Sequence, residues 1–283
     1  TPTAGAQPPV LDPMSPDTEI LTKDAPEAIA WSTDGISLAW VTGRVLHTAR
    51  AKGASISSTE VVIETPRVKP EGTIVLRGAR AITMKGDEVI ESADIVVEGN
   101  RIAAIGPKGS VTIPAKARII DLPGRTIIPG LIDVHAHWGF YSGLLKPDST
   151  SPLANLAYGV TAVRDPQTTP DIFALADLAE AGEMPSPRVF STGPGVFENT
   201  NLRSLDDARA ILRRYKDRYE THLIKSYLVG TRQQRQWMIE ACRELGLMPT
   251  TEGGSDSKMN LTHAIDGFSG NEHALPDTPL YRD

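Results

Sequence analysis

The sequence predicts an α/β protein, and three observations support this fold class. After Gly130, short apolar runs alternate with amphipathic helical stretches. A region of short alternating runs and glycine-containing turns precedes them from about Thr73. Side chains suited to metal binding or acid–base chemistry fall at the ends of the later runs. Together the patterns predict a β-rich region followed by a parallel sheet covered by helices.

The overall composition argues against several partner classes. The 283 residues carry a formal net charge of −6, which disfavours a nucleic-acid or anionic-membrane surface. No apolar run is long enough to span a membrane, and no signal pattern begins the chain, although a segment before Thr1 stays open. The single cysteine, Cys242, falls on the apolar side of a predicted helix, where we expect a buried, inert thiol.

The first predicted element is a set of short strands after a Pro/Thr-rich linker over residues 1–24. The segment "EAIAWSTDGISLAWVTGRVLHTAR" gives alternating apolar runs around a turn at residues 32–35. Its "AWSTDG" resembles the blade motif of periplasmic-type β-propellers, in which a Trp packs under a turn closed by Asp and Gly. The resemblance implies that residues 1–64 are a linker and the C-terminal remnant of a β-propeller, and it suggests a periplasmic or secreted location. An ordinary hairpin containing a Trp is the alternative.

The second predicted element covers residues 65–128. Alternating runs such as "TIVLRGARAITM" and "VIESADIVVEG" recur at short spacing with glycine-containing turns between them. This rhythm is typical of a small antiparallel β-sandwich.

The third predicted element covers residues 129–283 and contains strands alternating with helices. In one helix Ser204 caps with Asp207, and Ala208, Ile211, Leu212, Tyr215 and Tyr219 form an apolar stripe. In the next, Thr231 and Gln234 form a capping box, Trp237, Met238, Ala241 and Leu245 face the core, and Gly246 ends the helix. The six predicted strands span residues 131–137, 160–165, 188–192, 222–227, 247–252 and 267–273.

These strands fit either a doubly wound sheet or part of a (β/α)8 TIM-type barrel. Catalytic groups of such barrels gather at the C-terminal ends of several strands. The predicted strand ends carry His135, His137, Asp165, Lys225, Glu252, Glu272 and His273. We therefore expect a partial TIM-type barrel of about six strands, with these residues around one mouth.

Two histidines stand one residue apart in "PGLIDVHAHWG", directly after an apolar run. In a strand, His135 and His137 would share one face, and two converging imidazoles suggest a divalent metal such as Zn²⁺. A metal site with an open position can activate water at neutral pH. A hydrogen-bonded histidine at a strand end, without any metal, is the alternative.

The surrounding segments resemble the metal-dependent amidohydrolase superfamily, particularly its imidazolonepropionase- and Xaa-Pro dipeptidase-like members. "TIIPGLIDVHAH" is similar to the first barrel strand of that superfamily, "YGVTAVRDP" to the second, "LIKSY" to the fourth and "GFSGNEHA" to the sixth. "ITMKGDEVIESADIVVEGNRIAAIG" is similar to the accompanying β-sandwich. The resemblance extends over about Gly72 to His273.

The resemblance implies a role for each site residue. His135 and His137 would bind the more buried of one or two metal ions, Zn²⁺ or similar, and His273 would bind the second, with Glu272 beside it as an orienting group. Lys225 would be a carbamylated bridging ligand, the alternative being an unmodified lysine paired with a carboxylate. Glu252 stands where many members have a histidine and is a ligand or a near neighbour. Lys225 and Glu252 are the predicted catalytic residues.

Other polar residues receive structural interpretations. Arg164 and Asp165 are expected to form an ion pair with each other. We expect His47, His222 and His263, which match no site of the superfamily, to be surface or packing residues.

The resemblance also implies a reaction: hydrolysis of a carbon–nitrogen bond in a cyclic amide or small peptide by a metal-activated hydroxide. Because a barrel of eight units takes about 250 residues, residues 129–283 have room for about five units, or for six if the units are short. The eighth-strand aspartate of the superfamily has no counterpart, so we expect a fragment truncated at both ends and inactive alone. A mononuclear deaminase and a non-catalytic binding module remain alternatives. The oligomeric state, including a homo-oligomer, stays open.

Overall fold

The computed structural model describes residues 21–22, 26–50, 55–138, 150–197, 200, 202–227, 230–253 and 257–273. The packing divides the chain into two compact units, residues 1–63 and residues 64–283. The predicted linker over residues 1–24 lies outside the described residues, apart from Leu21 and Thr22.

The first unit contains one antiparallel sheet of four strands in sequential order: β1 (Ala28–Trp31), β2 (Ser37–Thr42), β3 (Val45–Arg50) and β4 (Ser57–Glu60). Asp34 closes the β1–β2 turn by accepting hydrogen bonds from the Ser32 hydroxyl (2.5 Å) and the Ile36 amide (3.0 Å). The expected packing of Trp31 under this turn is wrong, since Trp31 is 60% exposed. The buried indole is that of Trp40, which stacks on His47.

The second unit begins with a five-stranded mixed sheet built from β5 (Thr73–Ile82), β6 (Val89–Glu98), β7 (Arg101–Pro107), β8 (Arg118–Asp121) and β9 (Thr126–Ile127). The purely antiparallel arrangement predicted here is wrong. β5, β6 and β7 are antiparallel neighbours, but β8 and β9 pair with β5 in parallel. After β7 the chain crosses back to the free edge of β5 and runs in the same direction as β5.

The remaining strands form two parallel sheets. The first contains β10 (Leu131–Asp133), β11 (Val160–Asp165) and β12 (Arg188–Ser191). The second contains β13 (Val196–Phe197), β14 (Leu223–Tyr227), β15 (Met248–Thr251) and β16 (Gly270–Asn271). The sequence predicts neither β13 nor the division into two sheets. "GPG" at residues 193–195 interrupts the chain after β12, since proline supplies no amide donor for a ladder. Within the described residues these strands close no barrel.

Among the described residues, five helices connect these strands: α1 (Thr150–Ala157), α2 (Asp171–Ala181), α3 (Leu205–Asp217), α4 (Arg232–Leu245) and α5 (Ser257–Asp266). The predicted caps are confirmed. The Ser204 hydroxyl accepts from the Asp207 amide, Thr231 and Gln234 form the capping box, and Gly246 ends α4 in the left-handed conformation. No helix in the described ranges is long and apolar enough to cross a membrane.

The predicted core faces of α3 and α4 are also confirmed. Ala208, Leu212 and Tyr215 of α3 pack with Met238 and Ala241 of α4 in one buried cluster. Ile224 of β14 lies in the same cluster, and Lys225 is the next residue along the strand. Because successive strand residues point to opposite faces, burying Ile224 against the helices directs Lys225 to the other side of the sheet.

Candidate metal centre

The predicted site residues of the two parallel sheets meet at the C-terminal ends of their strands. His135 and His137 follow β10, Lys225 lies in β14, Glu252 directly follows β15, and His273 stands two residues after β16. Ligand atoms of His135, Glu252 and His273 all lie within 4.8 Å of one another, which makes these three residues a group that could hold a metal ion. The rings of His135 and His273 are 4.7 Å apart, centroid to centroid.

The two histidines of the H-x-H pair face each other, but they do not do so as neighbours on a strand. β10 ends at Asp133, so the prediction of a strand continuing to His137 is wrong. The Asp133 carboxylate accepts a hydrogen bond from the His135 amide (3.0 Å) and turns the chain there. The two Nε2 atoms are 3.0 Å apart, and each Nδ1 atom points away to a partner of its own.

Those partners fix the protonation of both rings. His135 Nδ1 lies 3.0 Å from a Glu272 carboxylate oxygen, and His137 Nδ1 lies 3.3 Å from the Gln167 carbonyl oxygen. An ionised carboxylate and a carbonyl only accept hydrogen bonds, so each Nδ1 carries a proton and donates it. In two neutral imidazoles, both Nε2 atoms then present lone pairs to each other.

Two lone pairs at 3.0 Å repel unless a cation, either a proton or a metal ion, lies between them. Nitrogen ligands of a tetrahedral zinc ion, each about 2.0–2.1 Å from the metal, lie about 3.3 Å apart. The His135–His137 pair is therefore spaced and oriented like two ligands of one divalent ion, and the residues present fit such an ion.

Lys225 is completely buried, and its ammonium contacts a Glu252 carboxylate oxygen. The other Glu252 oxygen lies 2.5 Å from His273 Nε2. Partial burial acts to raise the pKa of Glu252, but Lys225 and His273 outweigh it and hold this pKa below its usual range. His273 has φ of +23°, a positive angle that costs a non-glycine residue energy.

Asp165, the last residue of β11, is fully buried beside the site. Burial raises its pKa, although a hydrogen bond from the Gln167 amide opposes that shift. One of its oxygens lies 3.7 Å from His137 Nδ1, and the other has no hydrogen-bond partner among the described residues. Because burial favours the protonated form of this carboxyl, a cation bound beside His137 would offset that effect and keep Asp165 ionised.

The predicted ion pair between Arg164 and Asp165 is wrong, because adjacent strand residues point to opposite faces of the sheet. The Arg164 guanidinium instead donates to Glu272 Oε1 (2.9 Å), the Thr250 hydroxyl (2.5 Å) and the Val134 carbonyl (3.2 Å). Burial acts to raise the pKa of Glu272, but hydrogen bonds from Thr250 and Arg164 outweigh it, so the pKa lies below its usual range. Glu272 bonds His135 and not the expected His273.

The remaining sequence-based interpretations concern residues away from the site. His222 is exposed, whereas His263 is buried against Phe268, as expected of surface and packing residues. Two further contributors to the site, the Thr250 hydroxyl and the Gln167 carbonyl, were not predicted from the sequence. Thr250 stands two residues before Glu252 in the predicted strand over residues 247–252, and this spacing could have placed both side chains on the same face.

The chain is similar to known enzymes over part of its length. No family model matches the chain. The adenine deaminase of Paracoccus denitrificans (strain Pd 1222) is 29% identical over 115 residues, covering 40% of this chain and 19% of that protein. The imidazolonepropionase of Deinococcus radiodurans is 27% identical over 221 residues, covering 74% of this chain and 51% of that protein. These similarities support a place in the metal-dependent amidohydrolase superfamily.

A solved structure supports the amidohydrolase fold. The crystal structure of a Xaa-Pro dipeptidase with methionine bound in its active site aligns with a TM-score of 0.56 at 19% identity, covering 70% of this chain and 60% of that chain. This similarity concerns the fold. The chain spans about half, or less, of the length of these curated relatives.

Proposed function

We propose that this amidohydrolase chain carries the metal-binding part of a hydrolase that cleaves carbon–nitrogen bonds. The observation that carries the proposal is the His135–His137 pair, whose Nε2 atoms face each other at 3.0 Å while both Nδ1 atoms donate elsewhere. Adenine deaminase, imidazolonepropionase and Xaa-Pro dipeptidase, to which the chain is similar, bear names that describe reactions at carbon–nitrogen bonds. We expect a small amide or peptide as the substrate.

His135 and His137 would hold one divalent ion, and His273 with Glu252 would hold the same ion or a second one. Imidazole and carboxylate donors suit Zn²⁺. When bound, such an ion lowers the pKa of a coordinated water and polarises a carbonyl oxygen. Glu272 keeps the proton of His135 on Nδ1, and the Gln167 carbonyl does the same for His137. These contacts leave both Nε2 atoms free to act as ligands.

Lys225 distinguishes a two-metal hydrolase from a single-metal deaminase. Carbamylation would turn its ammonium into an anionic ligand able to bridge two ions. Its contact with Glu252, a favourable pairing for an unmodified cation, favours the mononuclear deaminase as the second candidate. Bound metal per chain, measured with and without added bicarbonate, separates the two: the two-metal site requires bicarbonate and gains a second ion.

We further propose an architecture for the regions whose sheets are described above. The parallel sheets would be part of a TIM-type barrel over residues 129–283. The mixed sheet would belong to a composite β-sandwich over residues 65–128, and the antiparallel sheet of the first unit to a β-propeller ending near residue 64.

Metal analysis of histidine variants tests the proposal. Gel-filtered wild-type chain should retain at least one equivalent of Zn²⁺, and His135→Ala and His137→Ala should each lose it. His222→Ala, which removes an exposed histidine outside the site, should retain the metal. Release of ammonia or amine from adenine, a cyclic amide and a Xaa-Pro dipeptide is then measured on this chain and on the longest reading frame containing it.

We expect chelator-sensitive turnover of one of these substrates by the longest reading frame and none by this chain alone. Zinc far below one equivalent in the wild-type chain would contradict the proposal, as would variants that retain the zinc. Either outcome would favour a non-catalytic binding module.

A further inference from the structure

The Arg164 side chain connects the two parallel sheets. It lies on β11 of the first sheet, and its guanidinium reaches Thr250 on β15 and Glu272 beside β16 of the second sheet. A further hydrogen bond goes to the Val134 carbonyl, between β10 and His135. Three hydrogen bonds from one planar guanidinium fix its position, which the flexible ammonium of a lysine could not do equally well.

The carboxylate held by Arg164 bonds a predicted metal ligand on its other side. Glu272 Oε1 accepts from Arg164 at 2.9 Å, and Glu272 Oε2 lies 3.0 Å from His135 Nδ1. The side chains of Arg164 and Glu272 are only 15% and 8% exposed, so solvent screens this contact weakly. The orientation of the His135 ring therefore depends on a guanidinium attached to a different strand.

We propose that Arg164 is a positioning residue that acts through Glu272 on His135. It keeps the Glu272 carboxylate directed at Nδ1, which holds the proton on Nδ1 and turns Nε2 towards His137. The consequence for metal binding rests on the proposed function, whereas the consequence for the His135 ring does not. In metal sites, residues that hydrogen-bond the ligands typically change metal affinity about 10–100-fold when mutated.

Two variants test this role without leaving an unpaired charge. Arg164→Lys keeps the positive charge but loses the planar fork and is the decisive variant. Thr250→Val keeps a similar side-chain volume but removes both one anchor of the guanidinium and the direct hydrogen bond from Thr250 to Glu272. Arg209→Lys is the matched control, because Arg209 makes a two-pronged ion pair with Glu244 on the α3–α4 surface (2.7 and 2.6 Å). Urea unfolding confirms that each variant folds.

The first measurement is the ¹⁵N NMR spectrum of the histidine side chains in the metal-free chain. In the wild-type and Arg209→Lys proteins, Nδ1 of His135 should give the shift of a protonated nitrogen, whether or not the two Nε2 atoms share a further proton. Arg164→Lys and Thr250→Val should shift His135 towards a mixture of tautomers and leave His222 unchanged. Identical His135 shifts in all four folded proteins would overturn the proposal.

The second measurement is the affinity for Zn²⁺ alone by isothermal titration calorimetry. Arg164→Lys should weaken binding about 10-fold or more, and Arg209→Lys should leave it within about twofold. An Arg164→Lys affinity equal to that of the wild type would overturn the proposal. A wild-type chain that binds no zinc would instead contradict the proposed function, and the NMR result would still decide the role of Arg164.

Discussion

Three charged side chains at the candidate site are largely withdrawn from water. The side chains of Lys225, Arg164 and Glu272 are 0%, 15% and 8% exposed. Removing an ion from water costs several kcal/mol, and pairing with an opposite charge only offsets that cost. Apolar residues of similar volume would give comparable or greater stability. A cluster of this kind, at the point where several strands end, is what binding or catalysis would retain at the expense of stability.

Cys242 provides a residue-scale prediction outside the site. Its thiol is fully buried in α4, and burial raises its pKa to about 12. The thiolate, which is the reactive form, is therefore scarce at pH 8. We expect no reaction of the native chain with a thiol reagent such as DTNB at pH 8, and one equivalent after denaturation in guanidinium. Rapid labelling of the folded chain would contradict the buried position of Cys242.

At the residue scale, the sequence predicted which side chains lie close together at the site, but not where the strand before them ends or which partners they bond. The H-x-H spacing was sufficient to predict that the side chains of His135 and His137 lie close together. The same sequence could not reveal that Asp133 ends the strand before them. Arg164 was assigned to its neighbour Asp165, because its actual partners, Thr250 and Glu272, lie more than 80 residues away in the chain.

Helix ends are the best-predicted elements, since their signals are local. Ser204, Thr231 and Gly246 each act within a few residues of their own position, and all three caps are present. Strand ends depend on partners elsewhere in the chain. β11 matches its predicted bounds, whereas the predicted strand over residues 267–273 shortens to Gly270–Asn271 after α5.

Two helix-terminal glycines give a matched pair of element-scale substitutions. Gly182 ends α2 with φ of +84°, and Gly246 ends α4 with φ of +71°. An added Cβ at Gly182 would lie 2.8 Å from the Val68 carbonyl oxygen, whereas one at Gly246 would meet nothing within 4 Å. Gly246→Ala should therefore cost about 1–2 kcal/mol from backbone strain alone. Gly182→Ala should cost about 2–4 kcal/mol, because overpacking is added to that strain.

Urea unfolding of both glycine variants, followed by circular dichroism, measures the two costs. The Gly182→Ala midpoint should fall below the Gly246→Ala midpoint. Equal midpoints would show that Val68 does not press against the end of α2.

At the scale of the whole molecule, the α/β class follows from the alternation of periodic segments, but the pairing of strands does not. The two parallel sheets, the strand β13 and the parallel position of β8 all depend on contacts between distant segments. The convergence of the site was nevertheless predictable, because parallel strands bring their C-terminal ends to one edge. The described site residues all belong to the unit of residues 64–283.

X-ray absorption at the zinc edge of the zinc-loaded, gel-filtered chain tests most directly whether residues from separate strand ends share one ion site. We predict one or two bound ions in a shell of nitrogen and oxygen ligands at about 2.0–2.1 Å. Multiple scattering should report at least two imidazoles per chain, and gel-filtered His135→Ala should retain too little zinc to give an edge. A chain that elutes without zinc, or a spectrum without imidazole scattering, would contradict the account.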